Sequence, residues 1–513
     1  MKKSVKMISV MLSSTLLITS IIVSGCEAKK EVTEYPVTLE QVLTETNERD
    51  KSIVDNFKID NASDYYFNVD MDGFTEAELE KLFSPGHMTS VKPEKAKKDI
   101  NVLFRLLQGS YSGYAYFGGA QVFDQAKKDM LTEIESYGDR TITTVEFTKL
   151  IRDHLDFVID DHLLIGSVNL GFDEAYCWYD NNSYEYQRDS IGYYTIIEDA
   201  KWYLSENMID YLEYTIGKSG EIVYGLFFVG TDKEQGQLPL HMTLTNKKEE
   251  KNIEIKWEKS VSQSIPSSEY ELRDTQGFKT AVIAAFSATQ NTNIMINDAK
   301  TLAKEDYAIV DLRYNMGGLV PDVTMWMYNF TGKEIYPKWA SIAYDGVVNN
   351  YWHGLIKSEV LALYKTFDFY EDNPELFNNM VNNVSDVYTV TKVANGIRRF
   401  DYDTQWTQHT GKVLFLLDGK ENVSAGEIFI EDSRSLENTL VVGTNSGGCL
   451  TTGDVNSTNV LYLPNSQIGI IYSSVLTLFD RPKDFDKYGI LPDIYIGTGN
   501  AAEAVARCIR YYQ

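Results

Sequence analysis

Residues 411–448 read GKVLFLLDGKENVSAGEIFIEDSRSLENTLVVGTNSGG, and the rest of the chain is best understood from them. Lys412 to Leu417 predicts a buried strand, because five of its six residues are apolar and the run stops at the turn signal Asp418-Gly419. Ser424 follows just beyond the strand end, with small neighbours Ala425 and Gly426 and a helix-like run from Glu427 to Leu436. A second strand, Thr439 to Val442, closes the unit at Gly443, so the stretch reads strand, helix, strand. A Ser on such a bend suits a nucleophile: small flanking residues let a carbonyl approach, and the next backbone N–H can face an oxyanion. A Ser that merely caps a helix fits the same pattern.

Two further stretches narrow the choice. Ala308 to Gly318, AIVDLRYNMGG, is a buried strand running into a charged, Gly-ended loop, and Gly489 to Asp493 is Gly-Ile-Leu-Pro-Asp. With the Ser424-Ala425-Gly426-Glu427 elbow and the Val441-Val442-Gly443 strand, these motifs stand in the order found in the tail-specific, or C-terminal processing, serine peptidases. The chain resembles that family over some two hundred residues. The resemblance implies an α/β core of the crotonase-like (ClpP-like) fold, peptide-bond hydrolysis, a polypeptide substrate and no cofactor.

The N-terminus points to the compartment. Lys2, Lys3 and Lys6 precede an apolar run, Met7 to Val23, that ends Val23-Ser24-Gly25-Cys26. This reads as a secretory signal at 1–25 and resembles the bacterial lipobox, which implies cleavage before Cys26 and lipidation of it. An uncleaved anchor is the alternative. Either way the bulk of the chain is expected outside the cytoplasm, on the extracytoplasmic face of a bacterial membrane. Loss of three Lys and no acids takes the formal charge from −26 to −29, which disfavours nucleic acid and leaves membrane attachment to the lipid. Cys177, Cys449 and Cys508 then remain, too few for a disulfide framework.

Residues 26–85 read as a tether with a short helix at Leu79 to Leu82. Residues 86–170 read as a bundle of three helices, carrying Ile100, Leu103, Phe104 and Leu107, then Phe123, Met130 and Ile134, then a capping box at Thr143 and Glu146 with Phe147, Leu150 and Ile151. The third helix is expected to end at Ile159-Asp160-Asp161-His162. There His162 can reach a cleft or satisfy a helix C-terminus, and no second cluster has the spacing of a metal site. His154 reads as structural. Residues 171–275 read as a β-rich domain; Tyr224-Gly225-Leu226-Phe227 falls inside a strand pattern, so a degenerate PDZ is the lesser reading. Residues 276–513 form the catalytic domain, with an aromatic-rich insertion at 333–410 that packs a local subdomain or walls the substrate cleft.

The commonest members of the family use a Ser-Lys dyad, with the Lys twenty-five positions after the Ser, and here that position holds Cys449. A thiol cannot replace a neutral amine as base. The branch that includes the tricorn protease uses a His from the helical region and an acid three positions before the terminal Gly motif. Resemblance to it implies Ser424 as nucleophile, His162 as general base and Asp486 as the residue orienting it, with Asp161 competing for that place. Gly317 and Ala425 are the implied oxyanion donors, and Asp311 and Arg313 are expected to fix their loop. The alternative is a fold relative that has lost proteolysis and serves as a binding protein or scaffold.

Overall fold

The computed structural model describes residues 32–513 except 59–60, 68, 70–72, 167, 170–173, 183, 247, 261–265, 383–386, 395, 456–458 and 480–484. The signal segment and Cys26 lie outside the described residues.

The two strands of the opening stretch, Val413–Asp418 and Thr439–Gly443, are parallel neighbours at the middle of a ten-stranded sheet. Tyr307–Asp311 and Phe278–Ile283 continue it on one side and Ile494–Tyr495 on the other, all parallel. Leu414 and Leu416 point to one face, against Phe429 and Ile430 of the helix Ala425–Ser433 and Trp326 of the helix Val320–Thr331. Phe415 and Leu417 point to the other, against Val505 and Ile509 of the helix Ala501–Tyr512. Successive strand side chains alternate between faces, so a continuous apolar run is what a sheet covered on both sides requires.

Residues 171–275 do not stand apart as a separate domain. Leu212–Ile216 pairs in parallel with Ile494–Tyr495, and Ile222–Gly230, Tyr176–Asp180 and Trp257–Lys259 extend the same sheet antiparallel. The unpaired edge of the short strand Ile494–Tyr495 draws them in, since an open row of N–H and C=O groups pairs where it can. Tyr224 to Phe227 lie in one of these strands. A separate five-stranded sheet, from Gln187 to Glu254, packs over its own core of Trp202, Met242 and Leu244.

The segment read as a tether also belongs to the core. Leu39–Asn56 is a helix capped by Thr38, with Leu39, Val42, Thr46, Asp50 and Val54 buried at helical spacing. Arg49 of this helix reaches Asp493 at 2.6 Å, and Asp493 accepts the Val441 N–H at 2.7 Å, so the final motif ties the N-terminal helix to the central sheet. So few apolar residues give the helix too weak a sequence signal against its charged face. The short helix expected near Leu79 spans Glu76–Leu82.

Pro93–Ser110, Gly119–Ser136 and Thr144–His154 pack around the residues expected of them, and the capping box of Thr143 and Glu146 is formed. The third helix stops at His154, earlier than expected; an irregular turn follows, then the strand Leu164–Ile165. That strand pairs with Gly469–Ile471, which pins the turn against the catalytic half of the chain. His154 contacts Glu133 at 2.9 Å on the surface.

The insertion is not self-contained either. Its strands Ala340–Tyr344, Ile397–Tyr402 and Tyr388–Ala394 form a five-stranded sheet with Ser473–Leu478 and Thr452–Val455. Its aromatics Trp339, Trp352, Tyr364 and Phe367 are buried. Cys177, Cys449 and Cys508 are buried free thiols, and among the described residues no helix is long and apolar enough to cross a membrane.

Candidate active site

Ser424 sits at the N-cap of Ala425–Ser433 with φ 55° and ψ −118°. A positive φ is uncommon for a residue with a side chain and costs of order 1–3 kcal/mol. Two contacts hold it there. Glu427, three residues on, accepts the Ser424 N–H at 3.1 Å, and Val423 donates to the Asn315 carbonyl at 3.0 Å. The strained turn lifts the Ser424 hydroxyl out of the helix toward the turn at residue 162.

There Ser424 Oγ lies 3.2 Å from His162 Nε2, although 262 residues separate them in sequence. His162 Nδ1 is 2.8 Å from the Thr452 carbonyl oxygen, which can only accept, so Nδ1 carries the proton and Nε2 is left to accept from Ser424. Burial depresses the His162 pKa from its ordinary value, while the Asp160 charge and the Thr452 carbonyl oppose the shift. The ring therefore stays neutral at neutral pH, the state a general base needs.

Glu427 joins this elbow to the next loop. Its carboxylate is fully buried and also accepts from Ser446 Oγ at 2.5 Å, Gly448 N–H at 2.9 Å and Cys449 N–H at 2.7 Å. Burial raises its pKa, and these bonds oppose the rise. The Ser-Ala-x-Glu pattern marked Glu427 in the sequence, but its acceptor role was not legible without the loop.

The structure brings Ser424, His162 and Ala425 together. Among the described residues nothing accepts from the Ala425 N–H, which stands at the helix N-terminus beside the hydroxyl. Gly317 is also at the site: a Cβ there would stand 2.8 Å from Ser424 Cβ and 3.4 Å from Ala425 N, and its φ is +78°. Its N–H, however, is directed at Asn315 Oδ1 at 2.8 Å rather than at the space before Ser424. Asn315 is fully buried and forms this bond to close the tight loop. Asp311 and Arg313 bond each other at 2.7–2.8 Å, and Arg313 also reaches the Gly499 carbonyl, which fixes the loop as expected.

Asp486 is near but does not bond His162. Its Oδ1 accepts from Leu450 N–H and Thr451 N–H at 3.1 Å and from Thr451 Oγ1 at 2.9 Å, while the contact expected of it at His162 Nδ1 goes to the Thr452 carbonyl. The two donors of the 450–451 backbone capture this shorter side chain one residue before Thr452. Asp161 is half-buried, and the His162 backbone N–H donates to Asp160 instead. Cys449 is buried beside this group, its pKa driven up by burial and by Asp161, Asp486, Glu427 and Asp160.

Residues 279–496, which hold Ser424 and Asp486 but not His162, match the family model described as Peptidase family S41. The chain is a serine-type peptidase. It cleaves polypeptides through an α/β domain built on the sheet described above. Among solved structures, mature CPAF is 13% identical, with 82% of this chain and 96% of that chain covered and a TM-score of 0.41. The photosystem II D1 C-terminal processing protease is 12% identical over 78% of this chain and 92% of its own, with a TM-score of 0.32. A lipoprotein from Streptococcus agalactiae is 9% identical over 82% and 97%, with a TM-score of 0.36. No curated protein matches the chain.

Proposed function

We propose that the protein is a lipid-anchored extracytoplasmic serine endopeptidase of the Ser-His-acid branch, built on a crotonase-like core. The observation that carries the proposal is the 3.2 Å contact between Ser424 Oγ, on a strained helix N-terminus, and a neutral His162 Nε2. His162 takes the Ser424 proton as Oγ attacks the scissile carbonyl carbon. The Ala425 N–H meets the oxyanion of the tetrahedral intermediate. Collapse breaks the C–N bond, and His162 returns its proton to the leaving amine; water, deprotonated by the same ring, then releases the acyl group. Asp486 serves at one remove, by fixing the backbone that leads into Thr452. Anchoring rests on the Lys-led apolar run and on Cys26, and the acidic surface supports a lipid rather than a basic patch as the membrane contact.

The test is labelling of the purified ectodomain with a fluorophosphonate. Covalent modification at Ser424, blocked by Ser424→Ala, is the expected result. A folded protein that does not react would turn the reading toward a binding protein. For the anchor, Cys26→Ser should release protein or leave the precursor unprocessed, and a full-length chain with unmodified Cys26 would refute it.

A further inference from the structure

We propose that Asp160 is the acid that serves His162: a positioning carboxylate that fixes the imidazole from two sides and balances the charge it takes up during catalysis. The proposal rests on Ser424 and His162 being nucleophile and base.

Asp160 is fully buried, and both of its oxygens are used. Oδ1 accepts the His162 backbone N–H at 2.9 Å and the Thr452 hydroxyl at 2.9 Å; Oδ2 accepts the Tyr111 hydroxyl at 2.5 Å and lies 3.0 Å from the Thr452 hydroxyl. Thr452 is thus held at its side chain by Asp160 while its carbonyl holds His162 Nδ1 at 2.8 Å. One carboxylate fixes the backbone of the His, and through Thr452 the tautomer of its ring. Donors on three chain segments converge on this side chain, so it is fixed there as an acceptor.

Asp486, the residue at the expected position, is built differently. Its Oδ1 accepts three bonds, but among the described residues its buried Oδ2 has no partner. Burial, reinforced by Asp160 and Glu427, pushes its pKa well above the carboxylate range. Asp486 spends its bonds on the 450–451 segment and makes none to His162, whereas Asp160 bonds the His162 backbone and its field opposes the fall that burial causes in the His162 pKa. The other titratable groups facing this pair are Tyr111, held neutral by burial and Asp160, together with Asp161, Glu427 and Cys449.

The experiment follows the rate at which a rhodamine fluorophosphonate labels Ser424 across pH. In that reaction Oγ bonds phosphorus, fluoride leaves, and the Ser proton passes to His162. Asp160→Asn is expected to slow labelling by about a thousandfold and to move the pH midpoint downward, because the charge favouring imidazolium is gone. Asp486→Asn is expected to leave that midpoint in place. Thr452→Val, which keeps the carbonyl and removes the hydroxyl, should slow labelling by about tenfold and decides the matter if Asp160→Asn does not fold. The idea is overturned if Asp160→Asn, or Thr452→Val in its stead, labels within about twofold of wild type at an unshifted midpoint, or if Asp486→Asn alone moves the midpoint. Should His162→Ala label at the wild-type rate, the base assignment itself fails, whatever Asp160 does.

Discussion

Ser424 and His162 meet at one hydrogen bond, but they are held there in opposite ways. The Ser side is local: a buried strand ends, a strained turn follows, and Glu427 three residues later accepts the Ser424 N–H. The His side is assembled from distant parts: a turn after the helix Thr144–His154, the carbonyl of Thr452, and a strand pairing with Gly469–Ile471. The difference teaches where each half is vulnerable. The nucleophile depends on one short segment and on backbone strain, whereas the base depends on several long-range contacts being made together, any of which can be loosened without touching the ring.

The largest expected effect removes either partner. Ser424→Ala and His162→Ala should each lower turnover of a peptide substrate by on the order of a thousandfold or more. Neither should shift the thermal midpoint greatly, because Ser424 is only half-buried and the His162 backbone bond to Asp160 survives the truncation. Turnover within tenfold of wild type for the His variant would show that the long-range side is scaffolding and not a base.

Glu427 is where the two sides are joined, since it accepts from the Ser424 backbone and from the loop at 446–449. Glu427→Gln turns an acceptor into a donor that faces other donors. The expected loss is about 2–4 kcal/mol of stability, read as a lower urea midpoint, with turnover falling because both halves move. An unchanged midpoint would mean that the sides are held independently.

How much of this was legible in the sequence follows the same division. The Ser strand, its elbow and the loop at 308–318 were readable because their signals are local: apolar runs, a turn pair, small residues at a bend. His162 was found from its family position, but Asp160 and Thr452 were not recognised, because no spacing rule links residues 292 apart. Likewise Leu39–Asn56 read as a tether and residues 171–275 as a separate domain. Both are joined to the core by pairings, Arg49 with Asp493 and Leu212–Ile216 with Ile494–Tyr495, that have no local signature.

A pH profile examines the His side without a mutation. The base is active when neutral, and burial depresses its pKa below the ordinary value of about 6.5. Activity should therefore persist as pH falls through 6.5 and decline only when it reaches the lower folded value. Measured as kcat/KM on a substrate that does not titrate there, a midpoint clearly above 6.5 would show the ring to be more exposed or more strongly paired with an anion than its surroundings indicate.

The smallest effect is expected at Cys449, the position at which the sequence resemblance to Ser-Lys peptidases would call for a Lys. Its thiol is buried, and burial together with four nearby carboxylates keeps it protonated. A protonated thiol cannot take the Ser424 proton. The contact that matters here is made by the main chain, whose N–H donates to Glu427 at 2.7 Å and is kept in any replacement except Pro. Cys449→Ala should therefore lose only packing, about 1 kcal/mol, and leave turnover within about twofold of wild type. The same carboxylates make the converse substitution informative. In Cys449→Lys the acids would favour the ammonium over the amine, so the variant should not restore turnover to His162→Ala. Rescue by that Lys would mean that the fold keeps the geometry of a dyad and that the His side is dispensable; a large loss in Cys449→Ala would place the thiol itself in the chemistry.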